Sequence, residues 1–450
     1  MSQRLAPAPA RKISAAEAAA LVQSGFWLDY GFTLAQPDVF DQALAARASE
    51  LSNVGIRSAL AAKPRAVLEA DPDGNHFHWN SWHYSAYERK KADAGSCTHV
   101  PPNLGEVSDY YRRFIAPIDI VAIKVRPADA DGHFNFGPTH AWLRTLIETA
   151  RIVIVETSTA VPYVCGRGNS VHISEVDYII DGDNAPLTEL ICPPACEIDR
   201  TIAHSVAAEV DDGACLQVGI GGMPNAVCRL LRESGAKELG VHTELLTDGL
   251  IDLYKAGVIT GARKQLDPGK LVFTFAYGSQ ALYDTVDRNP DMLCCDTDYT
   301  NLPHIIMQND KVFSINSTTQ MDLQGQAASE SDGHRHISGT GGQLQYARGA
   351  YASKGGKSFL CLPSVFEKNG VRKSRIVLNL TAGNIVTTPR TDVMYVVTEH
   401  GIVNLKGKSI VERVRAMIAL AHPDFREALE RQAFENGLIP RSLYPAQTPA

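Results

Sequence analysis

The chain has 450 residues, more than one hydrophobic core usually serves, and its 44% hydrophobic and 21% charged residues are typical of a soluble globular protein. The formal net charge of -7 at pH 7 argues against a nucleic-acid-binding protein, which needs a basic face. The amino-terminal stretch lacks the apolar segment of a secretory signal, and the apolar runs are far shorter than the roughly twenty residues of a membrane helix. We therefore expect a cytoplasmic protein of two or three domains, with neither nucleic-acid nor membrane partners.

Along the chain, segments with helical periodicity alternate with short apolar runs rich in β-branched residues. The first helix is predicted at 14–25, where Ser14 and Glu17 have the spacing of a capping box and Gly25 ends the pattern. Further helices are predicted at 37–51 and 411–437, and buried strands at 118–127, 151–157, 270–278, 311–316 and 392–401. This alternation indicates an α/β fold with largely parallel sheets.

Paired prolines interrupt both periodicities in "LTELICPPACEIDR", residues 187–200. A domain boundary there divides the chain into residues 1–193 and 194–450, each with strands of its own. The division predicts two similar α/β lobes with an active-site cleft between them.

A glycine turn in "LQVGIGGMPNAVCRLL", residues 216–231, joins an apolar strand to a helix that should start near Pro224. Gly219 and Gly221 begin a dinucleotide-binding pattern, but the third glycine of that pattern is missing. Backbone N–H groups ahead of a helix still favour negative charge, either a phosphate or an oxyanion formed during a reaction. A tight turn without a ligand is equally consistent with this stretch alone.

A second glycine-rich loop, residues 336–358, contains "GGKS" but is not a Walker A motif, because Tyr351 occupies the position of its first glycine. Its interleaved basic residues, Lys357 among them, suit the phosphates of another ligand or a solvated surface.

Metal binding is not expected from this sequence. The nine cysteines include no CxxC pair, and Cys192 and Cys196 have no second pair at zinc-ligand spacing. His76 and His78 share one strand face without a completing cysteine or carboxylate pair, and "HRH" at 334–336 is interpreted as a solvated turn.

The stretch "GVHTELLTDG", residues 240–249, contains Glu244 with no basic residue beside it. In isolation, an acid at the start of a helix is the simpler interpretation. An unpaired carboxylate is also what a nucleophile requires, because a tight cationic partner would stabilise the ground state.

Several long motifs in order resemble the acetyl-CoA hydrolase/transferase family, the class I CoA-transferases, and within it the butyryl-CoA:acetate and 4-hydroxybutyrate CoA-transferases. The resemblance extends over nearly the whole chain, through "HFHWNSWHYSAYERK", "HFNFGPTHAW", "LQVGIGGMPNAV", "GVHTELLTDGLIDL", "YTNLPHII", "INSTTQMDLQGQAASES", "ISGTGGQLQYARGA" and "VVTEHGIVNLKGKS". It implies an N-terminal lobe that shapes the acyl pocket and a C-terminal lobe with the catalytic glutamate and glycine loops.

The resemblance assigns roles to individual residues. Glu244 is the implied nucleophile, with Asn301 beside it. The remaining implied site residues are oxyanion or substrate contacts at Gln217, Gly219 and Gly221, and an oxyanion N–H and CoA contacts at Gly339, Gly341, Gly342 and Gln343. Lys357 of the basic loop is added as a CoA contact, and Gln345 departs from the family pattern, which has Asp or Asn there.

The implied reaction moves CoA from a short-chain acyl-CoA to a carboxylate through a glutamyl-CoA thioester. CoA is then a substrate, no cofactor or metal is permanently bound, and a homo-oligomer is expected as in relatives. The acceptor stays open among acetate, butyrate, 4-hydroxybutyrate and dicarboxylates such as succinate or itaconate. A dicarboxylate would require a positive charge in the pocket, for which Arg57, Arg65 and Arg89 are candidates. An acyl-CoA hydrolase using the same glutamate, and a non-catalytic acyl-CoA-binding protein, are the alternatives.

Overall fold

A computed structural model describes residues 9–443. Residues 1–8, at the start of the first predicted domain, and residues 444–450, at the end of the second, lie outside the described residues. Two eight-stranded sheets organise the fold, one in each half of the chain. The segment between Asp181 and Glu197 forms neither helix nor strand, and the predicted boundary at residues 193 and 194 falls within it.

From residue 9 onward, the described part of the N-terminal half has ten strands. Eight of them form one sheet in the order β1-β10-β8-β6-β2-β3-β4-β5, and the other two pair with each other. Their bounds are β1 Arg11–Lys12, β2 Trp27–Phe32, β3 Val54–Ala59, β4 Phe77–Ser81, β5 Cys97–His99, β6 Ile120–Val125, β7 His133–Asn135, β8 Ile152–Thr157, β9 Ser170–His172 and β10 Tyr178–Asp181. Every neighbouring pair in the sheet is parallel, and the strand order reverses direction between β2 and β6.

Six α-helices accompany this sheet: α1 Ala15–Ala20, α2 Val39–Ala45, α3 Ala66–Ala70, α4 Ala86–Asp93, α5 Val107–Arg113 and α6 Leu143–Thr149. Short 3-10 turns cover Thr33–Ala35, Ala48–Glu50, Leu104–Glu106 and Ile173–Glu175. The predicted capping box is confirmed, because the Ser14 side chain accepts from the Glu17 N–H and the Glu17 side chain accepts from the Ser14 N–H.

Up to residue 443, the C-terminal half has seventeen strands, of which eight form the second sheet in the order β16-β14-β12-β11-β17-β22-β26-β27. Their bounds are β11 Cys215–Val218, β12 Gly240–His242, β13 Leu245–Leu246, β14 Leu271–Phe273, β15 Phe275–Ala276, β16 Met292–Cys294, β17 Val312–Ser317, β18 Gln320–Asp322, β19 Ala327–Ala328, β20 Ser331–Asp332, β21 Arg335–His336, β22 Lys357–Cys361, β23 Val365–Lys368, β24 Val371–Ser374, β25 Ile376–Val377, β26 Tyr395–Thr398 and β27 Gly401–Asn404. Only the β26–β27 pair of this sheet is antiparallel, and the order reverses between β11 and β17.

Nine α-helices complete the described fold: α7 Glu197–Ala207, α8 Gly222–Ser234, α9 Asp248–Lys255, α10 Gln280–Val286, α11 Thr297–Asn301, α12 Pro303–Ile306, α13 Gln343–Ala352, α14 Ile410–Leu420 and α15 Pro423–Glu435; Arg441–Leu443 is a 3-10 turn. The prediction of one helix over 411–437 was wrong. Pro423 starts a second helix, because proline has no N–H for the preceding turn but fits the first helical position.

One hydrophobic core includes residues of both halves, and each half also buries a core of its own. Phe32, at the end of β2, packs edge-on against Phe275 of the C-terminal half with 4.7 Å between ring centroids, and against Trp142 at 5.2 Å. The predicted α/β fold of two lobes with largely parallel sheets is thereby confirmed. Within residues 9–443, the structure contains no helix with the length and hydrophobicity needed to cross a bilayer.

Candidate functional site

A pocket lies at the carboxyl ends of β11 and β17, where the strand order of the second sheet reverses. Ligands of parallel α/β sheets bind at this position, because the loops on either side of the reversal diverge and leave a crevice. The pocket is lined by Phe32, Leu60, His83, Leu104, Gln217, Val218, Gly219, Ile220, Glu244, Leu245, Phe275, Asn316, Ser317, Ser329, Ser338, Gly339, Thr340, Gly341, Gly342, Gln343 and Tyr346. Both lobes contribute to it, so it occupies the predicted cleft.

Glu244 is the one carboxylate in this lining, and it lies between β12 and β13. Its backbone carbonyl accepts the N–H groups of Thr274 and Phe275 at 3.0 and 3.1 Å, which fixes the residue to the neighbouring strands. Its Oε2 accepts a 2.6 Å hydrogen bond from Asn301 Nδ2, and the Gly342 N–H also donates to the carboxylate. No Lys or Arg belongs to the described lining, so the carboxylate is held by neutral donors alone.

Burial is the largest influence on the protonation of Glu244. It raises the pKa of the carboxyl to about 7, against the opposing effect of the hydrogen bonds from Asn301 and Gly342. A carboxylate with such a pKa is a stronger base and nucleophile than an ordinary glutamate, yet it is still substantially ionised at neutral pH.

The raised pKa of Glu244 predicts an activity that is lost in mild acid. If the ionised form attacks the substrate, kcat/KM for an acyl-CoA should be constant above about pH 8 and fall roughly tenfold per pH unit below the pKa of about 7. Carboxyl groups in water titrate near pH 4, so a carboxylate substrate stays ionised over this range. A pH–rate profile from 5.5 to about 9 checks this; a flat profile would show that Glu244 does not titrate there.

Asn301 is oriented by a buried chain of hydrogen bonds. The Thr300 hydroxyl donates to Asn301 Oδ1 at 2.8 Å, which leaves the amide NH2 facing Glu244. The Tyr346 hydroxyl donates to the Thr300 carbonyl at 2.7 Å, and His242 Nε2 lies 3.0 Å from the same oxygen. Thr300 and Tyr346 have no sequence signal of their own, although both lie within the motifs that indicate the family.

The second glycine loop meets Glu244 at the amino terminus of α13. A Cβ on Gly342 would lie 2.5 Å from both Asn301 Nδ2 and Glu244 Oε2, so only glycine lets the backbone approach the carboxylate. Gly341 is in a left-handed conformation, with φ of 56°, and its own Cβ position is 3.8 Å from Glu244 Oε1. The ten-residue helix α13 therefore directs its N-terminal N–H groups and dipole toward the carboxylate.

The N-terminal lobe holds this loop from the other side. The Leu104 N–H donates to the Gly341 carbonyl, and the Tyr84 N–H donates to the Ser338 carbonyl, both at 3.2 Å. Gln345, the departure from the family pattern, accepts the Gly105 N–H at 2.9 Å. The glutamine thus links α13 to the N-terminal lobe and does not face the carboxylate.

The first glycine loop is arranged differently from the expectation. Gln217 lines the pocket and exchanges two amide hydrogen bonds with Asn316, at 3.0 and 3.1 Å. The Gly219 N–H donates to the Ile315 carbonyl at 3.0 Å, so the β11–β17 ladder already uses it and it is not free for an oxyanion. Gly221, with φ of 130°, precedes α8 and lines a neighbouring depression instead of the Glu244 pocket.

The basic part of the second loop does not reach the pocket. Residues 343–352 form α13, about 15 Å long, which carries the chain away from Glu244. Lys357 lies at the start of β22, where its Nζ pairs with Glu209 Oε2 at 2.8 Å. Gln343 does line the pocket, but its amide donates to the hydroxyls of Ser329 and Thr388 at 2.9 and 3.0 Å.

The opposite wall of the pocket comes from four side chains of the N-terminal lobe: Phe32, Leu60, His83 and Leu104. Burial, more than the nearby charges, lowers the pKa of His83 to about 4, so the ring is neutral at pH 7. The candidate cations for a dicarboxylate are elsewhere, since Arg57 stacks on Trp27 at 4.0 Å and Arg65 pairs with Asp38 at 3.0 Å. Arg89 is also outside the lining.

Comparison with known proteins agrees with this architecture. The chain matches the acetyl-CoA hydrolase/transferase N-terminal domain over residues 3–190 and the acetyl-CoA hydrolase/transferase C-terminal domain over residues 278–433. The chain therefore belongs to the acetyl-CoA hydrolase/transferase family, as its motifs predicted.

Individual relatives are similar over most of their length. The butyryl-CoA:acetate CoA-transferase of Anaerostipes caccae is 43% identical over 93% of this chain and 95% of its own. The 4-hydroxybutyrate coenzyme A transferase of Clostridium kluyveri is 41% identical over 79% of this chain and 81% of its own. The crystal structure of RipA from Yersinia pestis has a TM-score of 0.88 at 38% identity, covering 95% of this chain and 98% of that one. The predicted enzyme class, CoA-transferase, is confirmed by these relatives.

Proposed function

We propose that the protein transfers coenzyme A from a short-chain acyl-CoA to a carboxylate, with Glu244 as the covalent carrier of CoA. The observation that carries this proposal is a carboxylate in the cleft between the lobes, held by Asn301 and the Gly342 N–H without a cationic partner. Neutral donors position the carboxylate and leave it nucleophilic, whereas an ion pair would lower its pKa and weaken it.

The reaction divides into two half-reactions of the same kind. A Glu244 oxygen attacks the thioester carbonyl, the C–S bond breaks, and CoA thiolate leaves behind a mixed acyl–glutamyl anhydride. The thiolate then attacks the glutamyl carbonyl, which forms the glutamyl-CoA thioester and releases the first carboxylate. The acceptor carboxylate attacks that thioester, and the displaced thiolate takes the acceptor's acyl group and frees Glu244.

Each step passes through a tetrahedral oxyanion close to the donors around Glu244. Asn301 Nδ2 and the Gly342 N–H are already aimed at this carboxyl group, so they are the proposed donors for oxyanions formed on the glutamyl carbon. Gln217 is proposed to contact the substrate carbonyl from the facing loop, because it lines the pocket beside Gly219.

The intermediate gives a direct test. Incubation of the purified protein with butyryl-CoA and no acceptor should increase its intact mass by that of CoA less one water, and peptide mapping should place the adduct on Glu244. Added acetate should discharge the adduct as acetyl-CoA, whereas a hydrolase would release free CoA equally fast without acetate. Turnover with no adduct under rapid quenching would contradict the covalent route.

We further propose that the acyl group transferred is short and uncharged, such as acetyl, butyryl or 4-hydroxybutyryl. The pocket wall is apolar at Phe32, Leu60, Leu104, Leu245 and Phe275. A second carboxylate bound there would lose its hydration without gaining a cationic partner.

This wall predicts discrimination against dicarboxylate thioesters. With acetate as acceptor, kcat/KM for butyryl-CoA should exceed that for succinyl-CoA on the order of 100-fold, since an unpaired charge costs several kcal/mol to bury. A matrix of acyl-CoA donors and carboxylate acceptors, scored by mass spectrometry of the CoA products, measures the ratio. Similar values for the two donors would mean that a cation reaches the acyl group during binding.

A further inference from the structure

A cluster of three potential metal ligands lies behind the second glycine loop, outside the Glu244 pocket lining. His99 ends β5 in the N-terminal sheet, while Glu330 and His336 belong to the β20–β21 hairpin region of the C-terminal half. One ring nitrogen of each histidine and one carboxylate oxygen of Glu330 all lie within 4.8 Å of one another. The cluster therefore brings residues more than 200 positions apart to one point between the lobes.

The two histidines have ring nitrogens without a protein partner. His99 Nδ1 lies 3.2 Å from the Ser81 carbonyl, which can only accept, so this nitrogen carries the proton and Nε2 has a free lone pair. His99 Nε2 and His336 Nδ1 are both buried and have no hydrogen-bond partner. A carbonyl that fixes the tautomer of a histidine is the usual outer contact of a metal ligand.

Glu330 supplies a buried carboxylate that accepts hydrogen bonds from neutral donors. Its side chain is 2% exposed, and its oxygens accept from the hydroxyls of Thr340 at 3.2 Å and Thr387 at 2.8 Å. Within residues 9–443 the structure gives it no ion pair with Lys or Arg; Arg335 of the same hairpin pairs with Asp93 instead. A buried negative charge without a cation is costly, and a bound metal ion would compensate it.

We propose that His99, Glu330 and His336 bind a divalent transition-metal ion of the zinc type between the two lobes. Two imidazoles and one carboxylate are a preferred zinc set, with ligand distances of about 2.0–2.2 Å and a fourth position for water. Tetrahedral ligands at those distances lie about 3.4 Å apart, so the side chains need to close by only about 1 Å or slightly more. The same set disfavours Mg²⁺, which prefers oxygen ligands and octahedral geometry.

The ion would act on the loop that carries Gly341 and Gly342. Glu330 is hydrogen-bonded to Thr340 of that loop, and the Cβ position of Gly339 is 3.1 Å from His99 Cε1. Zinc would thus join β5 to the loop and stabilise the contact between the lobes, without touching the reacting carboxylate. The proposed site does not depend on the proposed reaction.

The test is zinc binding by the full-length protein, using a matched pair of histidine variants. After treatment with chelator, calorimetric titration should show about one Zn²⁺ per chain and a higher unfolding temperature with zinc, whereas Mg²⁺ should have no effect. His336→Gln should weaken zinc binding by more than about 100-fold, beyond the 10- to 100-fold typical of outer contacts. His334→Gln, an exposed histidine in the same hairpin, should bind as the wild type does.

Other outcomes would overturn the site. Failure of the wild type to bind zinc, or equal binding by the wild type and His336→Gln, would show that the three side chains are not ligands. Zinc bound only at the exposed thiol of Cys196 would give equal binding by the wild type and His336→Gln, because this substitution leaves the thiol intact. His99→Gln tests the same prediction from the other lobe, and chelated variants whose circular dichroism matches the wild type exclude misfolding as the cause.

Discussion

Glu244→Ala is expected to lose CoA-transfer activity by at least about 10⁴-fold, because the variant has no group that can form the anhydride and thioester intermediates. The neighbouring donors, Asn301 and the Gly342 N–H, remain in place but have no carboxylate to hold. The measurement is steady-state transfer between butyryl-CoA and acetate, together with the intact mass after incubation with butyryl-CoA. No CoA adduct should form.

Two controls separate loss of chemistry from loss of structure. Glu233→Ala removes an exposed glutamate of α8 that forms an ion pair with Arg229, and should retain full activity. The pKa of Glu244 is raised in the folded protein, so its stabilising contribution is present below its ordinary pKa of 4.5 and is lost as pH rises through about 7. At pH 8 the ionised, buried Glu244 no longer stabilises the wild type. Apart from the cost of lost side-chain contacts, the Glu244→Ala protein should therefore unfold at a denaturant concentration no lower than that of the wild type. Substantial transfer by the folded variant would refute the assignment of Glu244.

Gly342→Ala is expected to reduce kcat by roughly 100- to 1,000-fold, because crowding displaces the Gly342 N–H from the carboxylate and loss of one oxyanion donor has an effect of this size in other enzymes. The added methyl group would lie 2.5 Å from Glu244 Oε2 and from Asn301 Nδ2, so the carboxylate, the amide or the loop must move. The backbone conformation itself, with φ of -96°, is open to alanine, so the expected effect is local crowding and not backbone strain.

The comparison for this variant comes from the same helix. Tyr351→Ala alters the exposed end of α13, where the Tyr351 side chain is 60% exposed, and should leave kcat unchanged. Urea unfolding of both variants establishes that the fold is retained. Wild-type kcat in Gly342→Ala would mean that the loop accommodates the added methyl group without displacing the Gly342 N–H or the carboxylate.

The sequence predicted the architecture well where the evidence was local. The period of the apolar residues predicted strands β6, β8 and β17, and the Ser14–Glu17 spacing predicted the cap of α1, since these signals need only neighbouring residues. It missed the break before Pro423 because the residues on both sides continue one helical pattern. The motif around Glu244 indicated the family without any knowledge of its surroundings.

The assignment of roles within the glycine loops needed the tertiary structure. The Gly219 N–H belongs to a strand ladder with Ile315, almost 100 residues later, which no local pattern reveals. Lys357 was grouped with the glycines by sequence proximity. The intervening helix α13, however, leads the chain away from Glu244, so that Lys357 lies at the amino end of β22 and pairs with Glu209. Likewise, "HRH" was interpreted as a solvated turn, whereas His336 is partly buried beside His99.

The sequence by itself determined that this is an α/β protein of the acetyl-CoA hydrolase/transferase family, with a glutamate at position 244 that has no basic residue beside it in the chain, because periodicity and motifs are properties of nearby residues. The family resemblance implied that Asn301 lies beside that glutamate, but only the tertiary structure decided the distances, the burial and the hydrogen bonds around it. Asn301 is 57 residues away, and Phe32, Leu60 and Leu104 of the apolar wall come from the other lobe. Contacts of such separation depend on how the strands are ordered in the two sheets, and strand order is set by packing of the whole chain.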